Sequence, residues 1–279
     1  AEFAINNPAA TYVNYAQFMP DLAALHNGGF VAVWYANYDE ANNSPNEVWG
    51  QRFSSAAVKE GGVFHVNTSA GFESSDQHDP SVATLADGRF VVVWRSDSQD
   101  GSSAGVYGQR FHADGTKDGS EFRANTTTVN GQYQQDVAAL KDGGYVVVWM
   151  SDSGQDSSGA GVYCQHYDAA GAAEGGEFRV NYSVAGQQYQ PAVTSLVNGG
   201  YVVSWTDGSD IWLQQYDASD HKVDSQQAVN PGGISTNNSG PDLVSTPDGA
   251  LLLSWIEPVD GAGHRLRFSR RPAGTEGWE

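Results

Sequence analysis

Short apolar runs that end in tryptophan recur along this sequence at intervals of 50 to 60 residues. The five runs are Phe30–Trp34, Phe90–Trp94, Tyr145–Trp149, Tyr201–Trp205 and Leu251–Trp255. An Asn-Gly or Asp-Gly pair lies shortly before every run, and another short apolar segment precedes that pair. Such pairs favour tight hairpin turns because they tolerate positive φ at the central turn positions. The pattern therefore predicts one β-hairpin in each of five repeats.

Two further strands complete each repeat. A polar loop after the tryptophan leads to a third strand, which has copies at 48–53, 106–111, 162–167 and 211–216. After a second turn comes a fourth strand, at 63–67, 121–125, 177–181 and 227–230. A four-stranded antiparallel meander of roughly 50 residues is the size of a propeller blade. We therefore predict an all-β fold, a five-bladed β-propeller of four-stranded antiparallel blades.

The two ends of the sequence predict how the propeller closes. The fifth repeat reaches residue 279 where its fourth strand is due, and residues 2–6 copy that strand. If the N-terminal strand completes the last blade, no sheet edge stays open at the junction. We expect a single domain over 1–279, with blades at about 20–67, 80–125, 135–181, 191–230 and 241–279 plus strand 2–6. The alternative is a segment cut from a longer solenoid.

The long loops, which follow the second strands and connect the repeats, are expected to share one end of the sheets. Binding residues concentrate on loops held by a rigid scaffold, so this end is the candidate site. At equivalent positions near it lie five amides followed by a second residue, in three cases aromatic: Gln17-Phe18, Gln77-His78, Gln132-Tyr133, Gln188-Tyr189 and Asn238-Ser239. An amide both donates and accepts hydrogen bonds, and a neighbouring ring offers an apolar face, which together suit a sugar. The alternative is that the amides cap the junctions between blades.

A second set of candidate ligand-binding residues opens the third strands. Its members are Trp49, Tyr107, Tyr163 and Trp212, and in the middle three repeats an acid (Asp97, Asp152 or Asp207) ends the second strand. Aromatic residues in strands also serve packing, so packing between blades is the alternative.

Two loops carry closely spaced oxygen ligands. Asp97 and Asp100 lie in one loop, and Asp152 and Asp156 lie in the next. Calcium takes six to eight oxygen ligands in flexible surroundings, so these four residues are candidate calcium ligands. The alternative is that these are ordinary solvated loops, which have a similar composition. We expect that no cofactor is required. A transition-metal site needs histidine close to acids, and the local sequence cluster of that kind is His78 with Asp76 and Asp79.

Composition excludes some classes of partner. The chain has 14 Lys and Arg residues against 33 Asp and Glu residues, giving a net charge of −19. Phosphate binding needs a basic face, so we expect no nucleic-acid partner. No apolar run approaches the ~18 residues of a membrane-spanning helix, so we expect no membrane span. The single cysteine, Cys164, excludes an intrachain disulfide framework.

The consensus of the repeats resembles a known kind of secreted protein. It reads Pro-x-Val-x-x-Leu-x-Asp-Gly-Gly-Tyr-Val-Val-Val-Trp, then Gly-Val-Tyr-Gly-Gln-Arg-Phe, then Glu-Phe-Arg-Val-Asn, and is carried by 80–125, 135–181 and 191–230. It is similar to repeats of large bacterial adhesins and haemolysin-type (RTX) proteins, which are calcium-associated and exported by type I systems. In blade number the chain also resembles five-bladed lectins of the tachylectin type. These resemblances imply a secreted bacterial protein whose export signal lies outside this sequence.

The expected function is therefore extracellular recognition without catalysis, with a glycan or other cell-surface ligand bound on the long-loop face. One alternative is a protein-interaction or spacer domain of a large adhesin. Another is a glycoside hydrolase, which needs two facing carboxylates. Asp79 and Glu257 are acids that stand alone among the repeats and are candidates for that role.

Overall fold

The computed structural model describes residues 5, 17–37, 45–68, 75–152, 155, 158–183, 185–230, 239–258, 263–275 and 277–279. Over these residues the regular secondary structure is entirely β-strand, in five antiparallel sheets whose strands follow sequence order. The sheets are the blades of a β-propeller, which confirms the predicted fold class.

The first sheet contains β1 (Gln17–Ala24), β2 (Phe30–Ala36), β3 (Glu47–Phe53) and β4 (Lys59–His65). The second contains β5 (Gln77–Thr84), β6 (Phe90–Asp97), β7 (Ala104–Phe111) and β8 (Lys117–Arg123). The third contains β9 (Gln132–Ala139), β10 (Tyr145–Ser151), β11 (Gly161–Tyr167) and β12 (Ala173–Arg179). The fourth contains β13 (Tyr189–Ser195), β14 (Tyr201–Thr206), β15 (Ile211–Tyr216) and β16 (Lys222–Ala228). The fifth has three strands among the described residues, β17 (Ser239–Ser245), β18 (Leu251–Pro258) and β19 (His264–Arg271).

The chain divides into two compact units, residues 1–133 and residues 134–279. The first holds β1 to β8 and the first two residues of β9, and the second holds the remaining strands. The single domain expected over 1–279 stays a prediction.

The predicted hairpin turns form as the sequence pattern indicates. In the third sheet, Gly143 has a φ of 97°, in the left-handed region that glycine adopts without strain. The Asp142 carboxylate accepts a hydrogen bond from the Gly144 N–H at 2.9 Å, and the Leu140 N–H donates to the Gly144 carbonyl at 2.8 Å. The turn therefore fixes the register between β9 and β10.

The repeated tryptophans are core residues, as expected. In the first unit, Trp94 is fully buried and shares a cluster with Val82 and Val92 of its own sheet and Val66 of the preceding one. In the second unit, Trp205 lies in a similar cluster with Val180. Removing about 200 Å² of ring surface from water contributes roughly 5 kcal/mol before the entropy of ordering is subtracted. The clusters therefore hold adjacent sheets together within each unit.

Every first strand carries a residue in the left-handed region near its start. These residues are Met19, Asp79, Gln134, Gln190 and Gly240, with φ between 45° and 61°. In β1, β5, β13 and β17 the pairing register shifts at this point. A β-bulge bends the strand and redirects its side chains. The sequence did not predict it, because four of the five residues are not glycine.

Acids just after these bulges connect neighbouring sheets. Asp136 accepts hydrogen bonds from the Val137 N–H and, on its other oxygen, from the Val193 N–H of the next sheet, both at 2.8 Å. Asp21 makes the same pair of bonds in the first unit, to Leu22 and Val82. Both acids therefore have a structural role.

Replacing Asp136 with alanine is expected to lower the free energy of unfolding by about 1–3 kcal/mol, because it leaves a half-buried N–H of β13 without its acceptor. Thermal denaturation would measure the loss. The control is Asp242→Ala in the same unit, where the side chain is exposed and the expected change is within about 0.5 kcal/mol. Equal losses in the two variants would contradict the structural role of Asp136.

The closure by residues 2–6 falls largely outside the described residues and stays a prediction. Ile5, which is described, packs against the buried cluster that contains Trp34. Val66, which follows β4, packs in a similar way against Trp94 of the second sheet. In the second unit, Glu279 and Arg270 exchange backbone hydrogen bonds at 2.8 and 3.1 Å. The fifth sheet has three strands among the described residues, so its fourth strand stays a prediction.

Candidate functional site

A belt of side chains crosses the loop end of the first unit. It consists of Phe18, Tyr35, His78, Arg95 and Tyr133. The rings of Phe18 and Tyr35 stack with centroids 5.2 Å apart, and Tyr35 meets His78 edge-to-face at 5.1 Å. The Arg95 guanidinium lies over Tyr133, 5.4 Å from the ring centroid. The belt therefore presents apolar ring surface with a cation among the rings.

The strand register explains the belt. Phe18 lies directly opposite Tyr35 in the β1–β2 pair, and His78 lies directly opposite Arg95 in the β5–β6 pair. Directly opposite residues have Cβ atoms about 4.5–5.5 Å apart, so their side chains meet. Phe18 is 45 % exposed, and the other four side chains are half-buried.

Two carboxylates adjoin the belt at His78. Asp97 accepts a hydrogen bond on Oδ1 from Arg95 Nε at 2.7 Å, and its Oδ2 lies 3.6 Å from His78 Nε2. Asp76 accepts on Oδ1 from both the N–H and the side-chain amide of Asn46, at 2.7 and 3.0 Å. One ligand atom from each of Asp76, His78 and Asp97 lies within 4.8 Å of the other two. We call these three residues the Asp76 cluster.

Charge is distributed unevenly over these groups. Burial raises the pKa of Asp97, but the nearby His78 imidazole and the hydrogen bond from Arg95 outweigh it and leave the pKa below its ordinary value. The pKa of Tyr35 is raised by burial and by the carboxylates of Asp79 and Asp76, while Arg95 acts in the opposite direction. At neutral pH the site therefore offers a carboxylate, a guanidinium and a neutral phenol.

The repeated amides lie mostly in buried positions where protein groups bond to them. Gln132 accepts from Asn125 Nδ2 at 2.9 Å and donates to a carbonyl of the preceding loop at 3.0 Å. Gln188 repeats this arrangement with Asn181 and a carbonyl of its own preceding loop, with both bonds at 2.9 Å. Gln77 accepts from Trp94 Nε1 and donates to the Ser75 carbonyl, both at 2.8 Å. The geometry favours the capping interpretation, and ligand binding by these amides stays a prediction.

The remaining members of that series differ in position. Gln17 is half-buried at the start of β1, and Asn238 lies outside the described residues. Tyr189 is half-buried at the start of β13 in the second unit. Of the residues that follow the amides, the structure brings Phe18, His78 and Tyr133 into one belt.

The aromatics of the third strands are chiefly packed against protein. Tyr107 and Tyr163 are buried, and burial together with the charge of Asp100 raises the pKa of Tyr107 to about 12. Trp49 stacks on His65 at 4.6 Å. These contacts favour the packing alternative for the set, and ligand contact by its members stays a prediction.

Trp212, the last of that set, donates through Nε1 to Asp207 Oδ2 at 2.8 Å. The sequence pattern suggested that Asp207 is equivalent to Asp97, but the strand register shows that it is not. It directly follows Thr206, the partner of Tyr189, whereas Asp97 comes two residues after Arg95, the partner of His78.

The candidate calcium ligands are only partly described. Asp100 accepts on Oδ1 from the Ser102 N–H at 3.0 Å, and its buried Oδ2 has no hydrogen-bond partner among the described residues. Asp152 is half-buried, and Asp156 lies outside the described residues. Calcium binding by Asp97, Asp100, Asp152 and Asp156 stays a prediction.

Sequence reasoning missed Tyr35 and Arg95, which complete the belt. Each directly follows the tryptophan that recurs in every repeat, and the other repeats carry Met150, Thr206 and Ile256 there. The residue type at this position therefore varies, whereas the tryptophan before it does not. That variation was the available signal.

No protein-family model matches the sequence. No curated protein matches it either. The part of the chain that the structure describes contains no helix long and apolar enough to cross a membrane.

Solved structures share the fold. The NanB sialidase from Streptococcus pneumoniae has a TM-score of 0.68 at 9% identity, covering 96% of this chain and 60% of that one. The Hadza microbial sialidase Hz136 has a TM-score of 0.65 at 12% identity, covering 94% and 57% respectively. A protein of unknown function from Dyadobacter fermentans DSM 18053 has a TM-score of 0.62 at 13% identity, covering 91% and 79%. The chain thus spans about three-fifths of the two sialidases, and identities this low show the fold alone.

Proposed function

We propose that this protein binds carbohydrate at the belt of the first unit. The observation that carries the proposal is the run of rings from Phe18 through Tyr35 to His78, with Arg95 and Tyr133 beyond it. The C–H face of a sugar packs on aromatic rings, and its hydroxyl groups need both donors and acceptors. Arg95 supplies donors, and the carboxylate of Asp97 supplies acceptors.

The shared fold supports this proposal by analogy. Two of the similar solved structures are sialidases by name, so this fold can carry a carbohydrate site. The resemblance of the repeats to secreted bacterial adhesins favours a cell-surface glycan outside the producing cell as the ligand. On this proposal the protein serves chiefly to recognise a glycan. The alternative, a spacer domain of a larger adhesin, predicts that the belt binds no glycan.

A glycan array followed by calorimetric titration of the best oligosaccharide tests the proposal, with calcium and after EDTA treatment. Tyr35→Ala and Tyr133→Ala are each expected to weaken binding at least tenfold, a loss of about 1.4 kcal/mol, because each removes a ring from the belt. Tyr182→Ala is the matched control, since Tyr182 is 79% exposed and lies outside the belt. Absence of glycan binding, or wild-type affinity in both folded belt variants, would overturn the proposal.

A second candidate is glycoside hydrolysis, favoured by the proximity of two carboxylates. Oxygens of Asp76 and Asp97 lie within 4.8 Å of each other beside the belt. Paired carboxylates at short separation serve retaining glycosidases, in which the two groups are about 5–5.5 Å apart. Release of reducing sugar by the wild type, abolished in Asp97→Asn, would support hydrolysis. No release from oligosaccharides that bind would exclude it for those ligands.

A further inference from the structure

We infer that Asp76, His78 and Asp97 form a binding site for a divalent transition-metal ion. The inference does not depend on carbohydrate binding, since it concerns metal affinity of the free protein. It differs from the calcium prediction because a histidine nitrogen joins two carboxylates, and Asp76 and His78 are not among the calcium candidates.

The spacing of the ligand atoms fits one small ion. First-row ions bind imidazole nitrogen and carboxylate oxygen at about 2.0–2.2 Å, which places two ligand atoms of a tetrahedral site roughly 3.4 Å apart. His78 Nε2 and Asp97 Oδ2 are 3.6 Å apart. One ligand atom from each of Asp76, His78 and Asp97 lies within 4.8 Å of the other two, so all three residues are within reach of one ion after side-chain adjustment.

Neighbouring groups already orient the ligands. Asn46 directs two donors to Asp76 Oδ1, and Arg95 occupies Asp97 Oδ1, so each carboxylate has its second oxygen outside these bonds. The Asp97 N–H donates to the Asp76 carbonyl at 2.9 Å, which ties the two ligand segments together. Tyr35 holds the His78 ring edge-to-face. Such outer contacts fix ligand orientation in metal sites.

The cluster also breaks the symmetry of the repeats. The corresponding residues of the third repeat are Gly131, Tyr133 and Asp152, which offer only one ligand. In the fourth repeat, Gln187 and Tyr189 replace Asp76 and His78. The second repeat therefore combines three metal-ligating side chains at positions that the shared fold does not require.

The ligand set selects the class of metal. One imidazole with two carboxylates suits Zn²⁺, Mn²⁺ or Co²⁺ better than Ca²⁺, which prefers oxygen alone. By the general order of affinities, Zn²⁺ binds more tightly than Mn²⁺. Three protein ligands leave a coordination position for water or another oxygen ligand. Because His78 belongs to the belt, that position borders the proposed carbohydrate site.

Calorimetric titration of EDTA-treated, desalted protein with Zn²⁺, Mn²⁺ and Ca²⁺ tests the site, and Co²⁺ absorption in the visible range reports the ligand geometry. We expect one Zn²⁺ per chain at this site, tighter than Mn²⁺. His78→Gln and Asp97→Asn are each expected to remove it, and Asn46→Ala to weaken it by about 10- to 100-fold. Unchanged thermal midpoints without metal would show that the variants fold.

His221→Gln is the matched control, because His221 and Asp217 form an exposed histidine–carboxylate pair at 3.3 Å. It is expected to leave the tight Zn²⁺ site intact. Three results would each overturn the inference: no binding of any of the metals, binding unchanged in both folded His78→Gln and Asp97→Asn, or a tight site lost in His221→Gln.

Discussion

Replacing Trp94 with alanine is expected to lower the free energy of unfolding by about 3–5 kcal/mol. The ring is fully buried in the cluster between the first two sheets, so its removal loses apolar burial and leaves a cavity. It also removes the donor that Gln77 Oε1 accepts from, at 2.8 Å. A decrease of roughly 10 °C in the thermal midpoint is the corresponding observation.

The variant Trp94→Phe separates the two contributions. It keeps much of the apolar volume but lacks the indole N–H, so Gln77 loses a partner. A double-mutant cycle of Trp94→Phe with Gln77→Ala should therefore give a coupling energy of about 0.5–1.5 kcal/mol. A coupling near zero would mean that the hydrogen bond adds nothing, and a loss below about 1 kcal/mol in Trp94→Ala would contradict the core role.

The second prediction concerns a histidine–aspartate pair in the second unit, in which the histidine is buried and the aspartate is half-buried. His166 is 2% exposed, and its Nδ1 lies 3.0 Å from Asp220 Oδ2. The Tyr201 hydroxyl donates to Asp220 Oδ1 at 2.7 Å. Asp220 adopts a φ of 61° at a turn position where the second and third repeats have glycine. Asp220→Ala is expected to cost about 1–3 kcal/mol at pH 6, because the buried His166 ring and the Tyr201 hydroxyl both lose their hydrogen-bond partner.

The stability contributed by this pair is expected to fall as pH rises above neutrality. Burial alone lowers the pKa of His166, but Asp220, together with Asp142 and Glu174, raises it above the ordinary value near 6.5. A raised pKa in the folded state stabilises fully below the unfolded pKa, and the contribution is lost as pH passes through the folded pKa. Each tenfold gain in proton affinity corresponds to about 1.4 kcal/mol.

On the acid side the sign is reversed. Burial raises the pKa of Asp220, but hydrogen bonds from His166 and Tyr201 outweigh it and lower the pKa. Its contribution is therefore present above the unfolded value of about 3.9 and is lost as pH falls through the folded pKa. The pair is expected to stabilise most between about pH 4 and pH 6.5.

Thermal midpoints of the wild type and His166→Gln, measured from pH 5 to pH 9, check this prediction. Glutamine is a suitable replacement because Gln215 holds the same register position in the fourth sheet. We expect the wild type to lose more stability than the variant across neutrality. His221→Gln, at an exposed site, should retain the wild-type slope. Identical slopes in the wild type and His166→Gln would refute the assignment.

The sequence predicts the repeated core well and predicts the unrepeated site only in part. Trp94, its apolar neighbours and the Asp-Gly turns recur at fixed spacing, and they appear in the structure as sheets with the expected strand order. Tyr35 and Arg95 do not recur, and their importance depends on which side chains lie opposite them. That pairing depends on the bulge at Met19 and Asp79, which local sequence does not reveal.

The sequence by itself determined the five repeats, the four-strand pattern of each, the tight turns and the tryptophan core, because strand periodicity and turn conformation are local properties. Only the tertiary structure decided that the amides of Gln77, Gln132 and Gln188 bond to protein groups, that Asp21 and Asp136 join sheets, and that Asp76, His78 and Asp97 converge. These outcomes depend on contacts between residues far apart in the chain. A side chain's role there is set by the register and bulges of neighbouring strands, which spacing along one strand does not encode.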